Sequence, residues 1–438
     1  MRKATVFLFA MALLALGGQA FAVIGTIDDV PAATLLLPYF EVDLDDPTAL
    51  TTLFSINNAS AAPAIAHVTL WTDLSVPTLD FNVFLTGYDV ATFNLRDLFT
   101  TGSVPQTSHS NTTISPRGVF SLTTNPISGV GPGSTSCTGQ LPLPNLPATL
   151  LNHIRAAHTG QASPIVFGGA CSGVDFGDNV ARGYITIDNV NFCSLDFPGD
   201  PGYFIPGGVG VANNINQLWG DYFYVNSAQN FAQGETMVHL EASNGLGAAN
   251  YTYYRRYSGG ADQREGMGST FAVRYLNGGA FTGGTDLLVW RDSKRTIAPF
   301  SCALIAPTPY PLGQEQIVIF DEQENPEVPE TSPFSPAIPG DDLIPFPWEA
   351  NRAVVGGPDF PVNPDFGWLY LNLNTNVAAS QVPFEPITQN WVTAVMDADG
   401  RFSVGFDAIQ LDNVTDPALA TDIILPVCDG APDPAACT

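Results

Sequence analysis

Lysine is nearly missing from this chain. Lys3 and Lys294 are the only two in 438 residues. Fifteen basic residues face 42 acidic ones, giving a formal net charge of −27. Such a chain repels nucleic acid and anionic membrane, so functions that need a basic surface are excluded. Charge of either sign is also sparse, at 13 % of residues against 45 % hydrophobic. The surface must then be largely Ser, Thr, Asn, Gly and Pro.

Histidine is equally scarce, with His67, His109, His153, His158 and His239. His153 and His158 are five apart, which sets them about 140° apart on a helix of ~3.6 residues per turn. They do not form the i,i+4 pair of a helical metal site. No C-x-x-C is present, which excludes a zinc knuckle. Gly169-Ala-Cys-Ser-Gly173 lacks the glycine spacing and the strand-to-helix setting of a nucleophile elbow. Glu41, Asp43, Asp45 and Asp46, or Asp175 and Asp178, offer acid pairs for glycoside hydrolysis, but nothing in the sequence marks one as desolvated.

Residues 1–22 read as a secretory signal. Arg2 and Lys3 open it, Ala4 to Leu16 is apolar, and Ala20-Phe21-Ala22 is a cleavage site. The mature chain is expected to begin at Val23 and to reside outside the cell, on its surface or in a periplasm. No later stretch has the roughly 20 apolar residues of a membrane span, so no transmembrane segment is predicted. Cys137, Cys171, Cys193, Cys302, Cys428 and Cys437 all follow the signal. An even count in an exported chain predicts three disulfides. The preferred pairing is Cys137–Cys171, Cys193–Cys302 and Cys428–Cys437, among fifteen arithmetically possible.

What the chain has in plenty is strand signal, with 41 glycines and 36 prolines as punctuation. Alternating and β-branched runs predict strands at Thr51–Asn57, Ala64–Thr72, Leu79–Leu85, Ala91–Leu98, Gly183–Asp188, Gly220–Val225 and Thr236–Glu241. A second series covers Phe271–Leu276, Asp286–Arg291, Glu315–Asp321, Gly367–Leu373, Trp391–Met396 and Phe402–Leu411. Asp397-Ala-Asp-Gly-Arg401 is a hairpin turn, with Gly400 supplying positive φ. Pro147–His158 is the one good helix, opened by proline and stopped at Gly160.

The two series resemble each other. Leu53–Asp73 lies over Ala272–Asp292 without a gap, matching Trp71 to Trp290. Gly183–Asp188 parallels Gly367–Asn372, and Trp219 parallels Trp391. The expected fold is all-β: two tandem antiparallel, Ig-like β-sandwiches. The first would span 23–244, with a partly helical insertion at about 100–180. The second would span 245–414, followed by a disulfide-closed tail at 415–438. It holds a Pro-rich segment, 326–364, with ten prolines in 39 residues. That density favours extended polyproline backbone lying along the sandwich with its aromatics docked.

Two sets of residues are candidate sites. Asp43, Asp45, Asp46, Asp397 and Asp399 place hard oxygen donors at the spacing of loop sites for calcium, the one cofactor considered. The alternative for them is a solvated acidic turn. Tyr251, Tyr253, Tyr254, Arg255, Arg256 and Arg264 combine aromatic and guanidinium groups, which suits a sugar or an acidic partner. The plainer and preferred account has alternating strand with Tyr251, Tyr253 and Tyr257 packed inward and the arginines paired with the acidic surplus. The four repeat-matched tryptophans are assigned to packing; Trp348 and Trp368 are left unassigned.

The expected function is that of a secreted, non-catalytic surface, adhesive or structural protein. Its partner would be a protein or carbohydrate at the cell exterior, or another copy of itself. Carbohydrate binding through region 251–295 and glycan hydrolysis on an all-β scaffold are the alternatives.

Overall fold

The computed structural model describes residues 29–104, 146, 148–161, 172–194, 196–243, 252–293, 310–327, 343–375 and 388–412. The signal segment, Tyr251, five of the six cysteines and the C-terminal tail lie outside the described residues. Cys193 is buried and disulfide-bonded.

The first half holds β1 Thr34–Asp43, β2 Thr51–Asn58, β3 Ala64–Trp71, β4 Pro77–Leu85, β5 Val90–Asn94, β6 Val180–Asn189, β7 Leu218–Asn226, β8 Phe231–Thr236 and β9 Val238–Leu240. Helices α1, Leu95–Thr101, and α2, Ala148–His158, fall between β5 and β6. A single turn, α3 Arg255–Ser258, lies between the halves. The second half holds β10 Thr270–Leu276, β11 Gly284–Arg291, β12 Gln316–Asp321, β13 Pro326–Glu327, β14 Ala350–Val354, β15 Phe366–Asn372, β16 Asn390–Asp397, β17 Ser403–Asp407 and β18 Ile409–Gln410. No described helix is long and apolar enough to cross a membrane.

The fold is all-β with tandem antiparallel sandwiches. The first pairs a β4-β3-β6-β1-β9 sheet with a β5-β2-β7-β8 sheet. The second pairs β13-β12-β15-β10-β18 with β14-β11-β16-β17. Adding nine to each strand number of the first gives the second. In both, the central neighbours follow the two-sheet pattern of an immunoglobulin sandwich, except that the last strand, not the first, fills the edge beside β1 or β10.

Matching contacts confirm the offset. Thr34 stands opposite Asp188, and Thr270 opposite Asn372. The Thr52 hydroxyl donates to Glu41 O at 3.0 Å and accepts from Glu41 N–H at 3.0 Å. Thr285 makes the same two bonds with Leu276, at 2.9 and 2.8 Å. Trp71 stacks on Tyr184 at 5.7 Å between centroids, and Phe320 on Trp368 at 4.0 Å.

This offset corrects the alignment read from sequence. Laying Leu53–Asp73 over Ala272–Asp292 sets β2 and β3 on β10 and β11, one strand out of step. The true counterpart of Trp71 is Phe320, and that of Trp290 is Asn57. Gly183 with Gly367 and Trp219 with Trp391 are in step. The cause is β1. Its run TLLLPYFEVD is buried on both faces, so alternation is lost, and Pro38 falls at a register shift between Leu37 and Phe40. With β1 unread, the strand count starts one late.

Other boundaries moved for local reasons. The strand expected to reach Leu98 stops at Asn94, whose side chain accepts from Arg96 N–H and caps α1. Gly102, at φ 69°, closes that helix. Within the Pro-rich segment, Ala350–Val354 is a strand, and Phe346 is buried in the second core.

A Cβ on Gly183 would run into the Trp71 carbonyl oxygen, and one on Gly367 into that of Phe320. Gly183→Ala and Gly367→Ala should therefore each destabilise by at least ~2 kcal/mol, because backbone must shift to admit the methyl. Urea unfolding of both variants checks this; a neutral result at either would contradict the matched close approach.

Candidate site at the junction of the sandwiches

The sequence packs the second sandwich against the first, and polar groups gather where they meet. Arg352 on β14 donates to Glu41 Oε2 on β1 at 3.0 Å and to Asp286 Oδ2 on β11 at 2.8 Å through Nε. Tyr39 donates to Glu41 at 3.0 Å. Arg182 on β6 approaches the other Glu41 oxygen at 3.8 Å and grips Asp178 with two bonds of 2.8 Å. Its guanidinium lies 4.7 Å over the Phe176 ring. Burial works against the Arg352 charge, but Glu41 and Asp286 outweigh it, so its pKa is raised. Burial, then neighbouring Glu41 and Asp397, raise that of Asp286 against the pull of Arg352.

A cleft opens on each side of this ladder, and both are lined by Tyr39, Glu41 and Arg352. The smaller, about 450 Å³, is walled by Asp43, Asp286, Asp397 and Asp399. The larger, about 820 Å³, is walled by Phe176, Trp348, the whole of β14 and several prolines. Phe176 is 50 % exposed.

The five acidic candidates divide. Asp43, Asp397 and Asp399 reach the smaller cleft, but Asp45 and Asp46 do not line it. Asp43 Oδ1 accepts from the N–H groups of Asp45 and Asp46, and Asp46 Oδ1 from Thr48. Arg96 stands at the centre of this loop. It donates to the carbonyl oxygens of Asp43 (2.6 Å), Asp46 (2.8 Å), Ala49 (2.8 Å) and Leu50 (2.9 Å). A guanidinium thus fills the place a loop cation would take. Among the described residues, no three His, Cys, Asp or Glu side chains are grouped to hold a metal. Asp397 to Arg401 forms the expected turn, closed by Ala398 N–H to Phe402 O at 3.0 Å.

The described members of the Tyr/Arg set lie wholly or partly in the interior. Tyr253 and Tyr254 are buried, and Tyr254 donates to Asp188 at 3.1 Å. Arg264 is buried on Thr34, Asn214 and the carbonyls of Asp262 and Asn213. Arg256 clamps Glu349 at 2.6 and 3.0 Å and Asp292 at 2.9 Å, and reaches Ser75 of the first sandwich at 3.3 Å. Arg255 lies half-buried beside them. Of the inward tyrosines expected, Tyr253 is buried and Tyr257 half-buried; Arg256 pairs with two carboxylates, but Arg264 is met by carbonyls, an amide and a hydroxyl, and the segment is a turn and a short helix, not an alternating strand. Exposed Arg/aromatic surface exists instead at Phe176 and Arg352, with Arg182 and Trp348 half-buried beside them. In the sequence Trp348, like Trp368, has no assigned role, and nothing marks Phe176, Arg182 or Arg352.

Glu41 and Asp286 converge in a cleft, as a glycoside hydrolase requires. Arg352 stands between them and takes an oxygen from each, so its guanidinium fills the gap where a glycosidic oxygen and a water would sit. The sequence matches no family model, no curated protein and no solved structure.

Asp73, at the end of β3, ties the halves together: its main-chain oxygen accepts from Glu349 N–H at 3.0 Å. Burial pushes its carboxyl up to about 7 from 3.8, although Val174 N–H donates to it. Below pH 3.8 it is protonated in folded and unfolded chains alike. As pH rises to about 7 only the unfolded chain releases the proton, so stability falls and the loss is complete above 7. His158 runs the other way: burial lowers it to about 4, so its contribution is present above 6.5 and lost as pH falls towards 4. Asp73→Asn isolates the first effect. The variant should match wild type near pH 3.5 and exceed it by roughly 2–4 kcal/mol at pH 8. A constant difference across that range in chemical unfolding would refute the assignment.

Proposed function

We propose that this is an exported, non-catalytic β-sandwich protein that acts by binding at the cell exterior, with the larger junction cleft as its contact site. One observation carries the reading: a cleft of about 820 Å³ at the seam of two sandwiches, rimmed by the exposed Phe176 ring and by Arg182 and Arg352. Sites of this kind favour domain seams, where two rigid bodies form a concave wall. The guanidiniums are already oriented by Glu41, Asp178 and Asp286, so little ordering is left to the moment of binding.

The export half of the proposal rests on residues 1–22, and the partner is a protein, a carbohydrate or a second copy. A carbohydrate would use the Phe176 ring, whose exposed face suits stacking on a sugar. Hydrolysis is the weaker alternative, because Arg352 separates the two carboxylates.

The test is retention of the mature protein on a panel of immobilised polysaccharides and peptides. Phe176→Ala and Trp348→Ala should each weaken retention at least tenfold without changing the melting temperature. Retention equal to wild type in both variants would remove the cleft from the function. Release of sugar by wild type, lost in Glu41→Gln, would replace binding by hydrolysis.

A further inference from the structure

We propose that the open edge of β14 receives an extended peptide as an added strand. This rests on the binding role of the larger cleft and names its ligand class and mode. Among the described strands, β14 is the outermost of its sheet and bonds on one side to β11. Its register pairs Asp286 with Val354 and Trp290 with Ala350. At either end Val355 N–H donates to Thr285 O and Arg291 N–H to Glu349 O, each between directly opposed residues. In an antiparallel ladder the bonded and non-bonded pairs alternate. Residues 349, 351, 353 and 355 therefore turn their main-chain groups to β11, while Ala350, Arg352 and Val354 turn theirs away.

Two of the outward groups are used locally. Ala350 N–H reaches Asp73 O at 3.4 Å, and Val354 O accepts from Gly357 N–H at 2.9 Å. Four remain: Ala350 C=O, Arg352 N–H and C=O, and Val354 N–H. No hydrogen bond from another described residue reaches them. They are the donor and acceptor pattern that one more antiparallel or parallel strand completes.

The cleft lies along this edge. All of Ala350 to Val354 line it, consecutively. A strand seen by its face presents every second residue; only a strand seen by its edge presents each one. Prolines on the chain before and after β14, Pro345, Pro347, Pro358 and Pro361, also line the cleft, and the first sandwich contributes Phe176 and Arg182. Five residues at ~3.3 Å each give an edge of about 16 Å, so the insert is a peptide of about five residues. Val354 and Phe176 are both 50 % exposed beside it. Alternate apolar side chains of the insert would lie on them. With a chain charge of −27, the insert is uncharged or basic, not acidic.

The test pans a displayed library of random linear octapeptides on the mature, oxidised protein and measures the enriched peptides by fluorescence anisotropy. Enriched sequences should alternate apolar and polar residues. Val354→Pro deletes an N–H that donates to nothing among the described residues and leaves the ladder to β11 intact. It should weaken those peptides at least tenfold with melting unchanged. Equal binding by folded Val354→Pro, or no enrichment over blank beads, overturns strand addition. Should that variant fail to fold, N-methylation of the peptide decides: methyls at one parity should cost tenfold or more and at the other nothing, and equal responses overturn the proposal. Retention of polysaccharide alone, lost in Phe176→Ala, overturns strand addition while leaving the binding function in place.

Discussion

The second sandwich cannot exist in this form without the first, because the two central strands of its four-stranded sheet, β11 and β16, are buried on both faces. On β11, Leu287 and Val289 point into the second sandwich, while Leu288 and Trp290 join the core shared with the first. On β16, Val392 and Ala394 face inward, and Trp391 and Val395 face the seam. Tyr184, Tyr253 and Trp290 meet there, with centroids at 5.3 and 6.0 Å. The same sheet of the first sandwich has the opposite outer face. Ser55 and Asn57 stand where Leu288 and Trp290 stand in the second, and Phe223 is 44 % exposed. One topology thus carries a wet face in one copy and a dry one in the other, and docking occurs once.

The seam explains why arginine is kept while lysine is nearly gone. Arg256, Arg264 and Arg291 are each buried and must have their forked donors met. Arg256 uses two carboxylates and Arg264 uses carbonyls, an amide and a hydroxyl. Arg291 is met mainly by the carbonyls of Leu312, Gly313, Phe346 and Leu373. Without a carboxylate partner, burial brings Arg291 down to about 9, still protonated at neutral pH. It ties the loops at the end of β11, as Asn58 ties those at the end of β2 through Ala62 O and Thr86 O. A lysine has three donors on one point and could not fan across four carbonyls.

These same facts set what was legible in the sequence. The all-β class, the tandem sandwiches and the helix 148–158 follow from local periodicity and punctuation, and they stand. Strands with one wet face, such as β2 and β7, announce themselves by alternation. β1 does not, since both its faces are dry and Pro38 interrupts it, and its loss displaced half of the repeat match. The Tyr253–Arg264 cluster was visible as composition, but composition carries no depth, and burial turns a plausible surface into a seam. The junction site was out of reach for a different reason. Glu41, Arg182, Asp286 and Arg352 come from four strands, and no two share a sequence window.

An open strand edge is ordinarily a liability, because its free N–H and C=O groups template pairing with any passing chain. Proteins blunt such edges with charge, proline or cover. β14 carries the first two in a particular arrangement. The Arg352 side chain is neutralised by Glu41 and Asp286, so it does not repel an incoming strand as a free charge would. The prolines precede and follow β14 in the chain, so they bound the strand without interrupting it. The first sandwich walls the same cleft with Phe176 and Arg182, so the edge is set into a concave surface. What remains accessible is narrow and short. A recessed edge of this kind is better suited to one extended segment than to the edge of another sheet, which separates a receptive edge from one merely left unguarded.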